Sequence, residues 1–175
     1  MLRRFLVLLC SLAGTSSALH AQAAPAATAI GDLQVGVGYV RAQPDYSVLT
    51  FNGFAIYGDV DVFRHFGAEA EFHRISGGGT NATSETTYDI GGRYRYPIGP
   101  FSPYLKIMVG RGSFNYSDSY QNGGYGMYAG GGGLDYRISR RIVLRADYEY
   151  QRWGSFPPHG LQPNLVTLGA AYRFR

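Results

Sequence analysis

Charge, cysteine and long apolar runs are all scarce in this sequence. Asp, Glu, Lys and Arg make up 16% of its 175 residues, where a globular domain carries roughly a quarter. That argues against a coiled coil, whose composition leans on Glu, Lys, Leu and Ala. The only cysteine, Cys10, lies near the N-terminus. A disulfide scaffold, a thiol nucleophile and a cysteine-based metal site are thereby excluded. No apolar run after Ala24 approaches the roughly 20 residues of a spanning helix. The formal net charge is only +4 and the basic residues are scattered, so nucleic acid is not an expected partner. Glycine (25), tyrosine (15) and phenylalanine (10) are abundant instead. So many aromatics can bury a core, which excludes a disordered chain. The composition reads as many short strands joined by turns.

The first residues read as a leader. Arg3 and Arg4 precede the apolar stretch Phe5–Ala13, and Ala21-Gln22-Ala23 is a small-x-small cleavage site. The apolar stretch is too short to span a bilayer. Cys10 is no lipidation site, because it stands inside that stretch behind Leu8 and Leu9. The expected organisation is a signal peptide over 1–23 and one domain over 24–175. Removing Arg3 and Arg4 from the 16 basic residues leaves 14 against 12 acidic ones, a near balance.

From there the sequence alternates apolar and polar residues with period 2, eight times over. The expected strands are Asp32–Arg41, Gly53–Phe63, Gly67–Ile75, Thr86–Tyr96, Pro103–Ser113, Gly126–Ile138, Arg141–Gln151 and Asn164–Phe174. In the seventh, Ile142, Leu144, Ala146, Tyr148 and Tyr150 oppose Arg145, Asp147, Glu149 and Gln151. The fifth is least regular: Leu105, Ile107 and Val109 share a face, with Tyr104 and Arg111 out of step. Proline is expected only at a strand's first residue. Long connections (42–52, 76–85, 114–125, 152–163) alternate with short ones (64–66, 97–102, 139–140). That alternation fits an up-and-down antiparallel meander whose two ends face different environments.

Alternation does not say which face points inward. A soluble, lipocalin-like barrel encloses its apolar face, whereas a membrane barrel turns it outward. Two features favour the membrane. Aromatics of the apolar face gather at both strand ends: Phe63, Tyr94, Tyr96, Tyr136, Tyr172 and Phe174 beside the short turns, and Tyr39, Phe54, Phe72, Tyr88, Tyr128, Tyr148 and Tyr150 towards the long loops. Aliphatic residues fill the belt between, as the two interfaces of a bilayer require. The other face mixes acids (Asp59, Asp61, Glu69, Glu71, Asp89, Asp135, Asp147, Glu149) with bases (Arg93, Arg95, Lys106, Arg137, Arg145). Eight strands enclose a space just wide enough for side chains. These thirteen residues are therefore the expected lumen network, packed ion against ion.

With its N-terminal leader, eight alternating strands and a last strand ending in Tyr172 and Phe174, the chain resembles the small outer-membrane β-barrel domain proteins of the OmpA/OmpX type. The resemblance implies an all-β, eight-stranded antiparallel up-and-down transmembrane β-barrel in the bacterial outer membrane. It implies contact with outer-membrane lipid and lipopolysaccharide, and a monomer.

Catalytic signals are few. His65, His73 and His159 share no metal-ligand spacing. Gly77–Gly79 and Gly130–Gly133 lack the helix and Lys-Ser/Thr of a phosphate loop. A lipid A-trimming barrel needs a His and a Ser on its outer wall, which His159 and Ser155 in one loop do not supply. No cofactor or metal is expected. The expected role is structural or surface-interacting, with long loops carrying Trp153 and Phe156 as a contact surface. A narrow porin-like channel or a small-solute-binding barrel is the alternative.

Overall fold

In the computed structural model the described residues are 31–45, 50–77, 83–116, 123–154 and 160–174. The expected leader with Cys10, the loop residues Gly78, Gly79, Ser155, Phe156 and His159, and Arg175 lie outside them. Eight strands follow one another: β1 (Leu33–Gln43), β2 (Phe51–Asp61), β3 (Phe66–Gly77), β4 (Thr83–Arg95), β5 (Phe101–Tyr116), β6 (Gly123–Arg137), β7 (Ile142–Trp153) and β8 (Asn164–Phe174). Each pairs antiparallel with its sequence neighbour, and β1 pairs with β8 to close a barrel. Closure leaves no edge strand, which hydrocarbon would not tolerate.

The apolar stripe faces outward. Val37, Ile56, Ile90, Leu105, Ile107, Val109 and Leu168 are exposed, Ile107 by 76%. Arg93, Lys106 and Arg145 are buried to 2%, 2% and 3% exposure. A water-soluble barrel shows the opposite pattern. At the turn end, Phe66 packs on Tyr94 with ring centroids 5.1 Å apart, Phe101 on Tyr136 at 4.9 Å and Tyr172 on Phe174 at 4.8 Å. At the loop end, Tyr39 Oη donates to Asn52 Oδ1 at 2.7 Å, and Tyr148 Oη to Asn164 Oδ1 at 2.7 Å. Both aromatic belts thus keep their rings on the outer wall.

The turns explain the short ends. Ile98 and Phe101 exchange backbone hydrogen bonds of 2.7 and 3.1 Å around Gly99, whose φ of 62° lies in the left-handed region. Ser139 Oγ accepts from the Arg141 and Ile142 amides at 3.2 and 3.1 Å. Strands outrun the expected bounds at the loop end: β5 reaches Tyr116 and β6 starts at Gly123, because their backbone ladder continues past the apolar belt. Pro103 is third in β5, not first as expected. Its missing N–H is tolerated close to the strand end, where its carbonyl still accepts from the Tyr96 amide.

The strands are tilted. Following the register from Leu33 through Val60, Ala68, Gly92, Ile107, Gly130, Tyr150 and Asn164 returns to β1 at Gln43, ten residues on (43 − 33). Height along the barrel axis therefore shifts by about one and a quarter residues per strand along the hydrogen-bond direction.

Candidate functional site

The inward positions of the eight strands converge on two ionic layers. In the layer nearer the turns, Arg93 (β4) and Arg145 (β7) share three carboxylates. Arg93 Nη1 lies 2.9 Å from Asp59 Oδ1 and 3.1 Å from Glu69 Oε2, and its Nη2 donates to Asp135. Arg145 Nη2 lies 2.8 Å from Asp59 Oδ2, its Nη1 3.2 Å from Glu69 Oε1 and its Nε 2.9 Å from Asp135 Oδ1. Tyrosine faces complete the cage. The Arg93 guanidinium sits 3.9 Å from the Tyr104 ring centre, and that of Arg145 4.2 Å from Tyr57. Gly36 is the register partner of Tyr57, and a side chain there would meet the Tyr57 ring at 2.4 Å. That glycine is what allows Tyr57 to lie flat inside.

Lys106 (β5) organises the next layer. Its Nζ lies 2.6 Å from Glu71 Oε2, 2.9 Å from Asp147 Oδ1 and 2.8 Å from Glu149 Oε2. Tyr104 Oη donates to Asp147 at 2.6 Å. Gln151 donates to Glu149 at 2.8 Å and accepts from Trp153 Nε1 at 3.0 Å. His73 Nδ1 is 3.2 Å from Thr87 Oγ1 and 3.9 Å from Asp89. Glu71, His73 and Glu149 each offer one ligand atom, all within 4.8 Å of one another. The Lys106 ammonium already contacts both of those carboxylates, so the cation they call for is built into the chain.

Towards the loops apolar residues join the lumen, beside the inward Thr87 and Glu85 of β4. Val40, Ala42, Phe51, Ala55, Ile75 and Leu165 form one buried cluster, and Met108, Met127, Ala129, Trp153 and Leu161 another. At the turn end, a hollow lined by Gln34, Arg95, Asp135 and Arg173 holds about 20 Å³, room for a single water molecule.

Of the expected lumen residues, Asp59, Asp61, Glu69, Glu71, Asp89, Arg93, Lys106, Asp135, Arg145, Asp147 and Glu149 are buried in the interior. Arg95 reaches inward at the turn end to pair with Asp61. Arg137 lines the turn-end hollow but is not buried. It has the inward parity, but at the last rung of β6 it sits at the rim, exposed, and donates to the Gly99 carbonyl at 3.0 Å. Trp153 is corrected too: it is the last residue of β7, fully buried, and not a loop contact. Sequence reasoning missed Tyr104 as a lumen residue, whose misfit parity was the available signal. It also missed Glu85, which falls inward because β4 starts early.

Residues 7–174 match the family model described as the outer membrane protein beta-barrel domain. No curated protein matches the chain. Among solved structures it is similar to Ail, the attachment invasion locus protein of Yersinia pestis, at 20% identity and a TM-score of 0.62 over 82% of this chain and 99% of that one. Ail has also been crystallised with the heparin analogue sucrose octasulfate. Neisserial surface protein A is similar at 12% identity and a TM-score of 0.68, over 82% and 96% of the two chains. The outer membrane enzyme PagL is similar at 11% identity and a TM-score of 0.51, over 83% and 99%. Identities this low establish a shared fold and leave the role open, since the same barrel carries an attachment protein and an enzyme. By sequence and by architecture alike, the chain belongs to the outer membrane protein β-barrel domain family and to the bacterial outer membrane.

Proposed function

We propose that this chain is a structural, surface-interacting barrel whose interior is a plug and not a pore. It acts as a monomer after loss of residues 1–23. The observation that carries this reading is the filling of the lumen. Arg93, Arg145 and Lys106 cross-link strands β2 to β7 through the centre, and two apolar clusters close the loop end. An ion entering from the loops would meet Trp153, Phe51 and Glu85, all buried side chains, before the Lys106 layer.

A non-catalytic role is supported by the position of the histidine within the strands. His73 points into the lumen and is buried to 2%, away from lipid substrates. The likeness to Ail supports a role for the loop end as a contact surface. The test is planar-bilayer recording on the refolded protein. We expect no discrete conductance steps. Reproducible single-channel steps would overturn the plug and favour the narrow channel.

A further inference from the structure

A residue that belongs to no strand helps to close the loop end of the lumen. In the two apolar clusters there, Val40, Ala42, Phe51, Ala55, Ile75 and Leu165 all stand on strands, as do Met108, Met127, Ala129 and Trp153. Leu161 comes instead from the connection between β7 and β8, and it is buried to 1% exposure against Trp153 and the two methionines. Gly160, whose φ of 86° lies in the left-handed region, turns the chain just before it. A side chain at Gly160 would meet the Trp153 carbonyl at 2.9 Å.

Residues 161–163 continue the wall where β8 has not yet begun. β7 pairs with β8 as far as Tyr150 and Asn164. Beyond that rung the Gln151 amide donates to the Pro163 carbonyl at 3.0 Å, and the Trp153 amide to the Leu161 carbonyl at 2.8 Å. On the other side β1 ends at Gln43, the register partner of Asn164, so there the segment borders no described strand. Asp45 ties it on that side: its Oδ2 accepts from the Gln162 amide at 3.1 Å. The Gln162 side chain accepts in turn from Tyr150 Oη at 2.5 Å. Both bonds are exposed. A stretch of wall held by a short ladder on one side and by a side chain on the other opens more readily than the strands around it.

We propose that residues 160–163 form a latch over the loop end of the lumen, with Leu161 as its stopper, Gly160 as its hinge and Asp45 as its catch. The proposal rests on the plug reading and adds the place where the plug opens. Asp45 lies in the β1–β2 connection and Gln162 in the β7–β8 connection. A contact that moves either connection therefore pulls on Leu161. Release uncovers Trp153, whose Nε1 donates to Gln151, which donates in turn to Glu149 of the Lys106 layer.

Two measurements on the chain refolded in detergent micelles test the latch. The first is amide hydrogen exchange followed by nuclear magnetic resonance. Asp45→Ala removes one hydrogen bond from the catch, which shifts an opening equilibrium about fivefold. Exchange at the Gln151 and Trp153 amides should quicken by that factor, while the Asp147 amide, in the middle of β7, keeps its wild-type rate. Asn52→Ala removes another exposed loop-end bond, the one from Tyr39, and should leave Gln151 and Trp153 unchanged. The second measurement uses Trp153, the only tryptophan of the chain. Its fluorescence should resist quenching by acrylamide in wild type and become accessible in Leu161→Ala. Wild-type exchange at both amides in Asp45→Ala would overturn the proposal. So would equal quickening in Asn52→Ala, ready quenching of wild type, or unchanged quenching in Leu161→Ala. Failure of the plug reading shows elsewhere, as wild-type conductance steps in a planar bilayer, and a gel run with and without heating reports the folded barrel in each sample.

Discussion

Replacing Arg145 by alanine removes the cation that touches Asp59, Glu69 and Asp135 from the β7 side. Arg93 still reaches all three carboxylates, but one guanidinium then serves where two did. Among the buried residues, carboxylates already outnumber Lys and Arg: Asp59, Asp61, Glu69, Glu71, Glu85, Asp89, Asp135, Asp147 and Glu149 against Arg93, Lys106, Arg145 and Arg173. The excess grows with the substitution. Breaking a buried pair by deleting one partner costs about 3–5 kcal/mol. Leu144, the next residue, faces lipid, and Leu144→Val loses one methylene, at most about 0.8 kcal/mol. Neighbouring positions on one strand should thus differ at least about fourfold in cost.

The assay is reversible urea unfolding of the refolded barrel, followed by far-ultraviolet circular dichroism and by gel mobility without heating. With a slope of about 1–3 kcal/mol per molar urea, Arg145→Ala should lower the midpoint by at least about 1 M. A double variant, Arg145→Met with Asp135→Leu, should recover part of that loss, because the stranded carboxylate goes with its partner. A water-filled lumen predicts otherwise. Solvent would take over from Arg145, and its cost would fall to the about 0–1 kcal/mol of an exposed pair. Equal small effects for Arg145→Ala and Leu144→Val, with strict additivity in the double variant, would refute the closed ionic interior.

Two more tests address the parts around that network. Gly36→Ala forces a methyl into the Tyr57 ring at 2.4 Å and should cost about 1–3 kcal/mol, while Gly130→Ala meets nothing within 4 Å and should leave the urea midpoint unchanged. Lys106→Ala removes the cation shared by Glu71, Asp147 and Glu149 beside His73. Zn²⁺ should then raise the variant's melting temperature in a gel-shift series and leave wild type unmoved. A rise in both would mean that Lys106 does not fill the site.

The faces of all eight strands were legible because a side chain's side of the sheet depends only on parity, and one buried face fixes it. Ile142 to Gln151 shows this at every residue. What parity cannot supply is height. Arg137 has the right parity but stands at the rim, exposed, where Asp135, two residues earlier, is buried. Tyr104 and Arg111 looked equally misplaced on β5, yet each sits where its own neighbours need it. Tyr104 is drawn inward by Arg93 and Asp147. Arg111 is outward by parity, in step with Ile107 and Val109, near the loop end of β5. Level is a property of the closed barrel, set by a stagger accumulated over eight registers that no local pattern records.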